Sequence, residues 1–411
     1  MIYTILVYGA TGYAGRLIAA EGKHRNMCDG SSGYRMVLGG RSAAAVKQLA
    51  EELEMDYRVF GLDHEKDAEG GLAGIDVVIN AATPFALTAD CLAKTALRVG
   101  CGYVDINGQL DVYTRLQELG RHAQSRQIPM VCSVGHTAAA SGLLLHVALC
   151  NMPPLTGPPN DELGAVRIAA SRLLHLSRGS IETLLNSVRE QVTVVRLREK
   201  RDRDGRTKRE DVLWHEPVGK LERMVDFGVD DYTGAAPAQA DTATRPRVRI
   251  ASAVNLVDTL TARLTVRRSK WRAHTIESYA ELGTLGRIAY QSGSWFTPFA
   301  AMQWVRDLTH AQVSLLPAGP SEGQRNAERH TVVLEIEDPC EVPRIVWRWH
   351  TTNPYDFTAR VVVEVARRVA PGSSPCGWLT PSEVLEPTLD DLTSEQRVYF
   401  RGCRLERAPV V

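Results

Sequence analysis

The chain has 411 residues, 44% hydrophobic and 23% charged, enough for a large core and for more than one domain. Its 48 basic residues balance 48 acidic ones, so no global field draws it toward nucleic acid or an anionic membrane. No apolar run is long enough to predict a membrane span, and no basic leader with a cleavage site opens the chain, so no signal peptide is expected.

Ile2 to Tyr8 is a short, β-rich apolar run that predicts a buried strand. It leads into Gly9-Ala10-Thr11-Gly12-Tyr13-Ala14-Gly15, after which Ala14, Leu17 and Ile18 take helical spacing. Strand, glycine turn and helix start in that order are the context of a dinucleotide fingerprint. Gly9 permits the tight turn, Gly12 leaves no Cβ in the way of a pyrophosphate, and Gly15 lets helix and strand pack closely. The N–H groups at the helix start then hold the phosphates. The polar stretch from His24 to Gly33 reads as a loop before a second strand, Arg35 to Leu38.

A helix is expected over Ala43 to Leu53, then strands at Tyr57–Phe60 and Asp76–Asn80. A helix carrying Leu92, Thr95, Ala96 and Val99 precedes a strand at Tyr103–Ile106. A further helix, with Val112, Leu116, Leu119 and Ala123, precedes the strand at Met130–Val134. Strands separated by helices predict an α/β fold, an N-terminal Rossmann domain whose doubly wound parallel sheet runs in the order 3-2-1-4-5-6. From about 136 to 350 the candidate strands are longer and partly alternating: Ala165–Ala170, Val192–Leu197, Arg247–Val254, Thr331–Ile336 and Ile345–His350. Arg198 to Asp211 reads as a solvated hairpin tip around Asp204-Gly205, and Gly228 to Pro246 as a loop. Trp295, Phe296, Phe299, Met302 and Trp304 form an aromatic segment best explained by core packing, with a substrate pocket or dimer face as alternatives. Helical spacing resumes at Phe357, Val361, Val365 and Val369. The expected division is therefore a Rossmann domain over 1–135, a mixed α+β substrate and dimerisation domain over 136–350 forming the second wall of a cleft, and a segment over 351–411 packing back on the first domain.

The second strand ends in Leu38-Gly39-Gly40-Arg41-Ser42, where an NAD enzyme carries an acid for the ribose hydroxyls. With no acid there, Arg41 can pair with a 2′-phosphate and Ser42 can add a hydroxyl, which favours NADP(H). Asn80-Ala81-Ala82-Thr83-Pro84, after the fourth strand, lies on the expected path of the nicotinamide ribose, with Ala82, Thr83 and Pro84 as contacts. His136, after the sixth strand, is a candidate proton donor, and Asp105 at the end of the fifth either orients a substrate amine or caps the next segment. No Tyr has Lys four residues on, as a short-chain dehydrogenase needs. The eight cysteines show no metal-binding spacing, so no metal is expected. Cys91, Cys132 and Cys150 read as buried thiols in a reducing, cytoplasmic setting rather than as nucleophiles.

Taken together, GATGYAG, GGRS (39–42), INAATPF (79–85), YVDINGQ (103–109) and VCSVGH (131–136) resemble the saccharopine dehydrogenase-like oxidoreductases, which include saccharopine reductases and trans-acting enoyl reductases. The likeness covers roughly 1–150 and reappears at Ser177-Arg178-Gly179-Ser180 and at Gly377-Trp378-Leu379-Thr380-Pro381. It implies NADP-dependent hydride transfer to an imine or a polarised C=C bond of a small molecule, and a homodimer is expected. Two departures stand out: Gln109 replaces an acid of the family pattern, and His136 to Ala140 replace a segment usually carrying Asp and Pro. The alternative is a non-catalytic NADP-binding sensor or scaffold.

Overall fold

The computed structural model describes residues 2–28, 33–153, 161–181, 191–201, 207–228, 247–284, 286–288, 313, 316–369, 375–393 and 397–408. The chain divides into two compact units. The first comprises Met1–Ala139, Pro354–Glu386 and Gln396–Arg401, and the second Ala140–Asn353, Pro387–Glu395 and Gly402–Val411.

In the first unit the strands are β1 (Tyr3–Tyr8), β2 (Tyr34–Gly40), β3 (Asp56–Val59), β4 (Val77–Asn80), β5 (Gly102–Asp105) and β6 (Pro129–Val131). A seventh strand, β15 (Gly377–Leu379, numbered in chain order), pairs with β6. The sheet order is β3-β2-β1-β4-β5-β6-β15 and every pairing is parallel, so the expected order holds with one strand added at the edge. β1 is central because its residues Ile5 to Val7 are apolar on both faces and fully buried. The intervening helices are α1 (Tyr13–Cys28), α2 (Ala43–Leu53), α3 (Glu65–Leu72), α4 (Phe85–Val99), α5 (Leu110–Glu118) and α6 (Gly120–Ser125), and α7 (His136–Cys150) begins in this unit and belongs to the second from Ala140 onward.

The expected loop from His24 onward is instead the last turn of α1, which runs to Cys28. Arg25 is the reason. Its guanidinium is buried and bonds Glu21 on its own helix, and Glu364 and the Arg360 carbonyl on the helix Pro354–Arg368. Residues 29–32 of that stretch lie outside the described residues.

The second unit is built on a nine-stranded mixed sheet. Its strands are β7 (Glu162–Ala170), β8 (Val192–Arg201), β9 (Thr207–Glu216), β10 (Glu222–Asp226), β11 (Val248–Ala253), β12 (Arg272–Ala280), β13 (His330–Glu337), β14 (Pro343–Thr351) and β16 (Arg404–Arg407). β7 and β12 pair in parallel, and the other neighbours are antiparallel. The carboxy-terminal segment is thus shared, β15 joining the first sheet and β16 the second. A core of Ala169, Val192, Val194, Val225, Phe227, Ala251, Ala253, Tyr279 and Val333 covers one region of this sheet. The charged stretch around 198–211 is more than a tip. β8 and β9 pair along their full length, and Asp211 is held by Arg263 and Arg267 on α8 (Asp258–Arg268), while Arg209 pairs with buried Glu162. Its charges are therefore spent partly on pinning the hairpin to the sheet. The expected loop at 229–246 and the aromatic segment 295–304 lie outside the described residues.

Candidate functional site

The amides of Gly9 and Ala10 both donate to the Gly39 carbonyl, at 2.9 and 3.1 Å, tying the end of β1 to the end of β2. Gly9 has φ +83°, and a Cβ there would lie 2.6 Å from the backbone nitrogen of Ala82. Any side chain at Gly9 would separate the turn from the segment that follows β4. At Gly15 a Cβ would meet the Gly9 carbonyl oxygen at 2.2 Å, so this glycine is required by the packing of α1 on β1. Gly12 differs. It is exposed, and a Cβ would meet only the Gly9 oxygen, at 3.2 Å. Internal packing explains the bareness of Gly9 and Gly15 but asks little of Gly12. A bare, exposed turn at the amino end of α1 fits a diphosphate lying against backbone. Thr11 and Tyr13 flank it, and the Tyr13 ring meets Tyr355 edge-on at 5.0 Å.

Arg41 and Ser42 are exposed at the end of β2. Ser42 begins α2 without a side-chain capping bond, so its hydroxyl is not spent on the helix. Arg41 acts electrostatically on Tyr8, whose phenol burial pushes up to about 12 against the pull of that guanidinium. The Tyr8 hydroxyl donates to the Phe60 carbonyl at 3.2 Å, and the two rings lie 4.9 Å apart. The exit of β3 therefore joins the same rim. Sequence reasoning missed Tyr8 and Phe60, because β3 is short and a tyrosine closing a buried strand reads as core.

After β4, the Ala82 amide donates to Asn80 Oδ1 at 3.1 Å, and the Thr88 hydroxyl donates to the Ala82 carbonyl at 2.7 Å. Asn80 is fully buried, and its Nδ2 donates to the Tyr103 hydroxyl at 3.2 Å, so it shapes the turn from inside. Thr83 and Pro84 stay exposed, joined by a cis peptide. The structure thus brings Gly9 to Gly15, Arg41, Ser42 and Ala82 to Pro84 to one edge of one sheet.

Asp105 sits below that edge, fully buried at the end of β5. Its Oδ1 accepts the Ser133 amide at 2.7 Å and the Asn107 amide at 3.0 Å, holding the loops after β6 and β5 together. Desolvation raises the carboxyl pKa, opposed by those two amide bonds. Burial, with this carboxyl beside it, pushes the Cys132 thiol well above its ordinary value, which disfavours a nucleophilic thiolate. Cys150 is a correction of a different kind. It is exposed at the last residue of α7, 3.8 Å from His146 Nε2, rather than buried in a core. Cys91 is half-buried, its thiol donating to the Leu62 carbonyl. His136 opens α7 and is 5% exposed. Its amide donates to the Thr358 hydroxyl at 2.9 Å, and its ring meets Phe357 edge-on at 5.0 Å. Both candidate catalytic side chains are thus enclosed within the first unit. A groove of about 510 Å³ lies between the exit of β3 and α3, lined by Arg58, Phe60, Lys66, Gly70 and Gly71 among others.

The motifs near the end of the chain have structural work. Gly377 to Leu379 is the added strand β15, and Thr380 with Glu383 forms a capping box on the next short helix. Ser177 Oγ accepts the Ser180 amide at 3.3 Å.

No family model and no curated protein matches the chain by sequence. Solved structures do match in fold. Saccharopine dehydrogenase (L-Glu forming) from Saccharomyces cerevisiae, in its apo form, is 12% identical, with a TM-score of 0.58 over 99% of this chain and 100% of that one. Homospermidine synthase from Legionella pneumophila, in complex with NAD, is 8% identical, with a TM-score of 0.56 over 99% of this chain and 91% of that one. The chain has the α/β fold of these proteins, a parallel Rossmann-like sheet followed by a mixed one.

Proposed function

We propose that this chain is an NADP-dependent oxidoreductase of the saccharopine dehydrogenase-like kind, transferring hydride to an imine or a polarised C=C bond of a small molecule. One observation carries the reading: a bare turn at the head of α1, with Gly9 bonded to Gly39 and abutting Ala82, and with Gly12 open to the outside. The fold shared with a saccharopine dehydrogenase and a homospermidine synthase supports it.

When bound, NADPH supplies the hydride. The amino end of α1, where the helix dipole is positive, would hold the diphosphate. Arg41 would grip the 2′-phosphate as a fork of donors, with Ser42 adding its unspent hydroxyl. Ala82, Thr83 and Pro84 would guide the nicotinamide end, their turn stiffened from below by Asn80 and Thr88. Asp105 would hold the loops of Asn107 and Ser133 in place beneath the reacting centre, and His136 is the nearest candidate in sequence for a proton donor. A protonated imine carries its own charge, so placement alone suffices for its reduction.

Arg41→Ala tests the cofactor reading. It should weaken NADPH by about tenfold or more and leave NADH nearly unchanged, measured by fluorescence titration. Equal losses for both would remove the reason for choosing NADP. Incubating the protein with NADPH and a panel of cyclic imines or enoyl thioesters, and following NADPH absorbance, tests the reaction. Tight binding with no oxidation across the panel would favour the sensor reading.

A further inference from the structure

We infer that Tyr355, at the start of the helix Pro354–Arg368, is a cofactor-positioning residue: its ring fixes Tyr13 and, through Tyr13, the shape of the turn that receives the diphosphate. The inference rests on the oxidoreductase reading, since it adds a residue to that cofactor site. Three of the seven residues from Gly9 to Gly15 are glycine, which has the most backbone freedom to lose. A turn left loose would have to be ordered by the ligand, and that ordering lowers affinity. Backbone bonds fix part of it: the Gly12 amide donates to the Gly9 carbonyl at 3.0 Å, and the Arg16 amide to the Gly12 carbonyl at 2.9 Å. Thr11 and Tyr13 carry the two side chains larger than a methyl in this stretch. The Tyr13 ring meets Tyr355 edge-on, with centroids 5.0 Å apart and planes at 89°. Such a pair sets an angle as well as a distance, and each ring has two torsions to hold.

Tyr355 is a firm support because its helix is anchored on both sides. Phe357, Val361 and Val365 are fully buried and seat the helix in the first unit, to which Tyr13 also belongs. Arg25 of α1 reaches Glu364 and the Arg360 carbonyl. At the other side, Thr358 Oγ1 accepts the His136 amide at 2.9 Å, and the Phe357 ring packs on the His136 ring. His136 opens α7 after β6, and β6 lies three strands from β1 in the sheet. The first turn of this one helix therefore touches both the turn after β1 and the segment after β6, at the carboxyl edge along which a dinucleotide would lie. Tyr355 itself is half-buried, at the margin of that packing, so core burial explains less of its bulk than it does for Phe357.

The test is fluorescence titration of the full-length protein with NADPH and with NADH. Tyr355→Leu should weaken both by about fivefold and by the same factor, because the diphosphate is common to them. Tyr355→Phe keeps the ring and should bind as wild type does. Tyr13→Leu should lose as much as Tyr355→Leu, and the double variant should be no weaker than either single one. Tyr355→Met, which also keeps apolar bulk without a ring, gives the same comparison if the leucine variant does not fold. Unchanged NADPH affinity in Tyr355→Leu, a loss for NADPH that spares NADH, an equal loss in Tyr355→Phe, or losses that add in the double variant overturns the role. Wild-type protein that binds neither dinucleotide would remove the oxidoreductase reading itself, whereas wild-type binding that ignores Tyr355 removes the brace alone.

Discussion

Two glycines three residues apart carry opposite predictions. Alanine at Gly15 places a Cβ 2.2 Å from a carbonyl oxygen and 2.9 Å from the Ala10 Cα, both backbone atoms. Gly15→Ala should therefore cost about 1–3 kcal/mol in urea unfolding and abolish NADPH binding, because α1 must shift off β1. Gly12→Ala meets much milder crowding, so stability should stay near wild type while NADPH affinity falls. If both variants lose stability equally, Gly12 serves packing and not a ligand. Asp105 sets a third test. Burial raises its carboxyl pKa above the ordinary 3.8, so the folded protein favours the protonated form. That contribution is fully present below pH 3.8 and is lost as pH rises through the folded value. Asp105→Asn keeps an oxygen for the Ser133 and Asn107 amides and cannot ionise. Wild type should lose stability relative to this variant as pH rises above the ordinary carboxyl value and through the raised folded one, read from urea midpoints at each pH. A difference independent of pH would mean the raised pKa is not expressed in folding.

At the scale of elements, the junction of α1 with the helix Pro354–Arg368 depends on one charge. Arg25 is 3% exposed, and its partners Glu21 and Glu364 lie at 2.7 and 2.8 Å. Removing one member of a buried ion pair leaves the other uncompensated. Arg25→Ala should cost about 3 kcal/mol in the urea midpoint, the low end of the usual range, because Arg368 still faces Glu364. A loss below about 1 kcal/mol would show the network to be ornamental. The same pair explains why periodicity stopped short at His24. Polar residues at the end of a helix look like a loop until the partner that buries them is known, and Glu364 lies 339 residues away from Arg25. The β8–β9 hairpin misled in the same way. Its charges read as solvated, yet Arg209 and Asp211 answer Glu162, Arg263 and Arg267, distant in sequence.

Over the whole molecule, the first unit is assembled from three stretches of chain. A fragment ending at residue 135 would lack Glu364 and β15, leaving Arg25 without that partner and the β6 edge open. Such a fragment should aggregate or show no cooperative unfolding by circular dichroism, although it holds the entire glycine turn. A soluble fragment with a sharp transition would show that the late segments are dispensable.

Apolar runs, helical spacing and glycine positions are local, so the sequence alone determined the Rossmann sheet, its strand order through β6 and the turn at Gly9 to Gly15. It also singled out Arg41, exposed at the end of β2, on which the proposed NADP reading turns. The tertiary structure decided what depends on partners far along the chain: β15 as a seventh strand, the buried state of Asp105 and His136, and the exposure of Cys150. Burial and ion pairing are properties of neighbours in space, and a single strand of letters does not say which neighbours those will be.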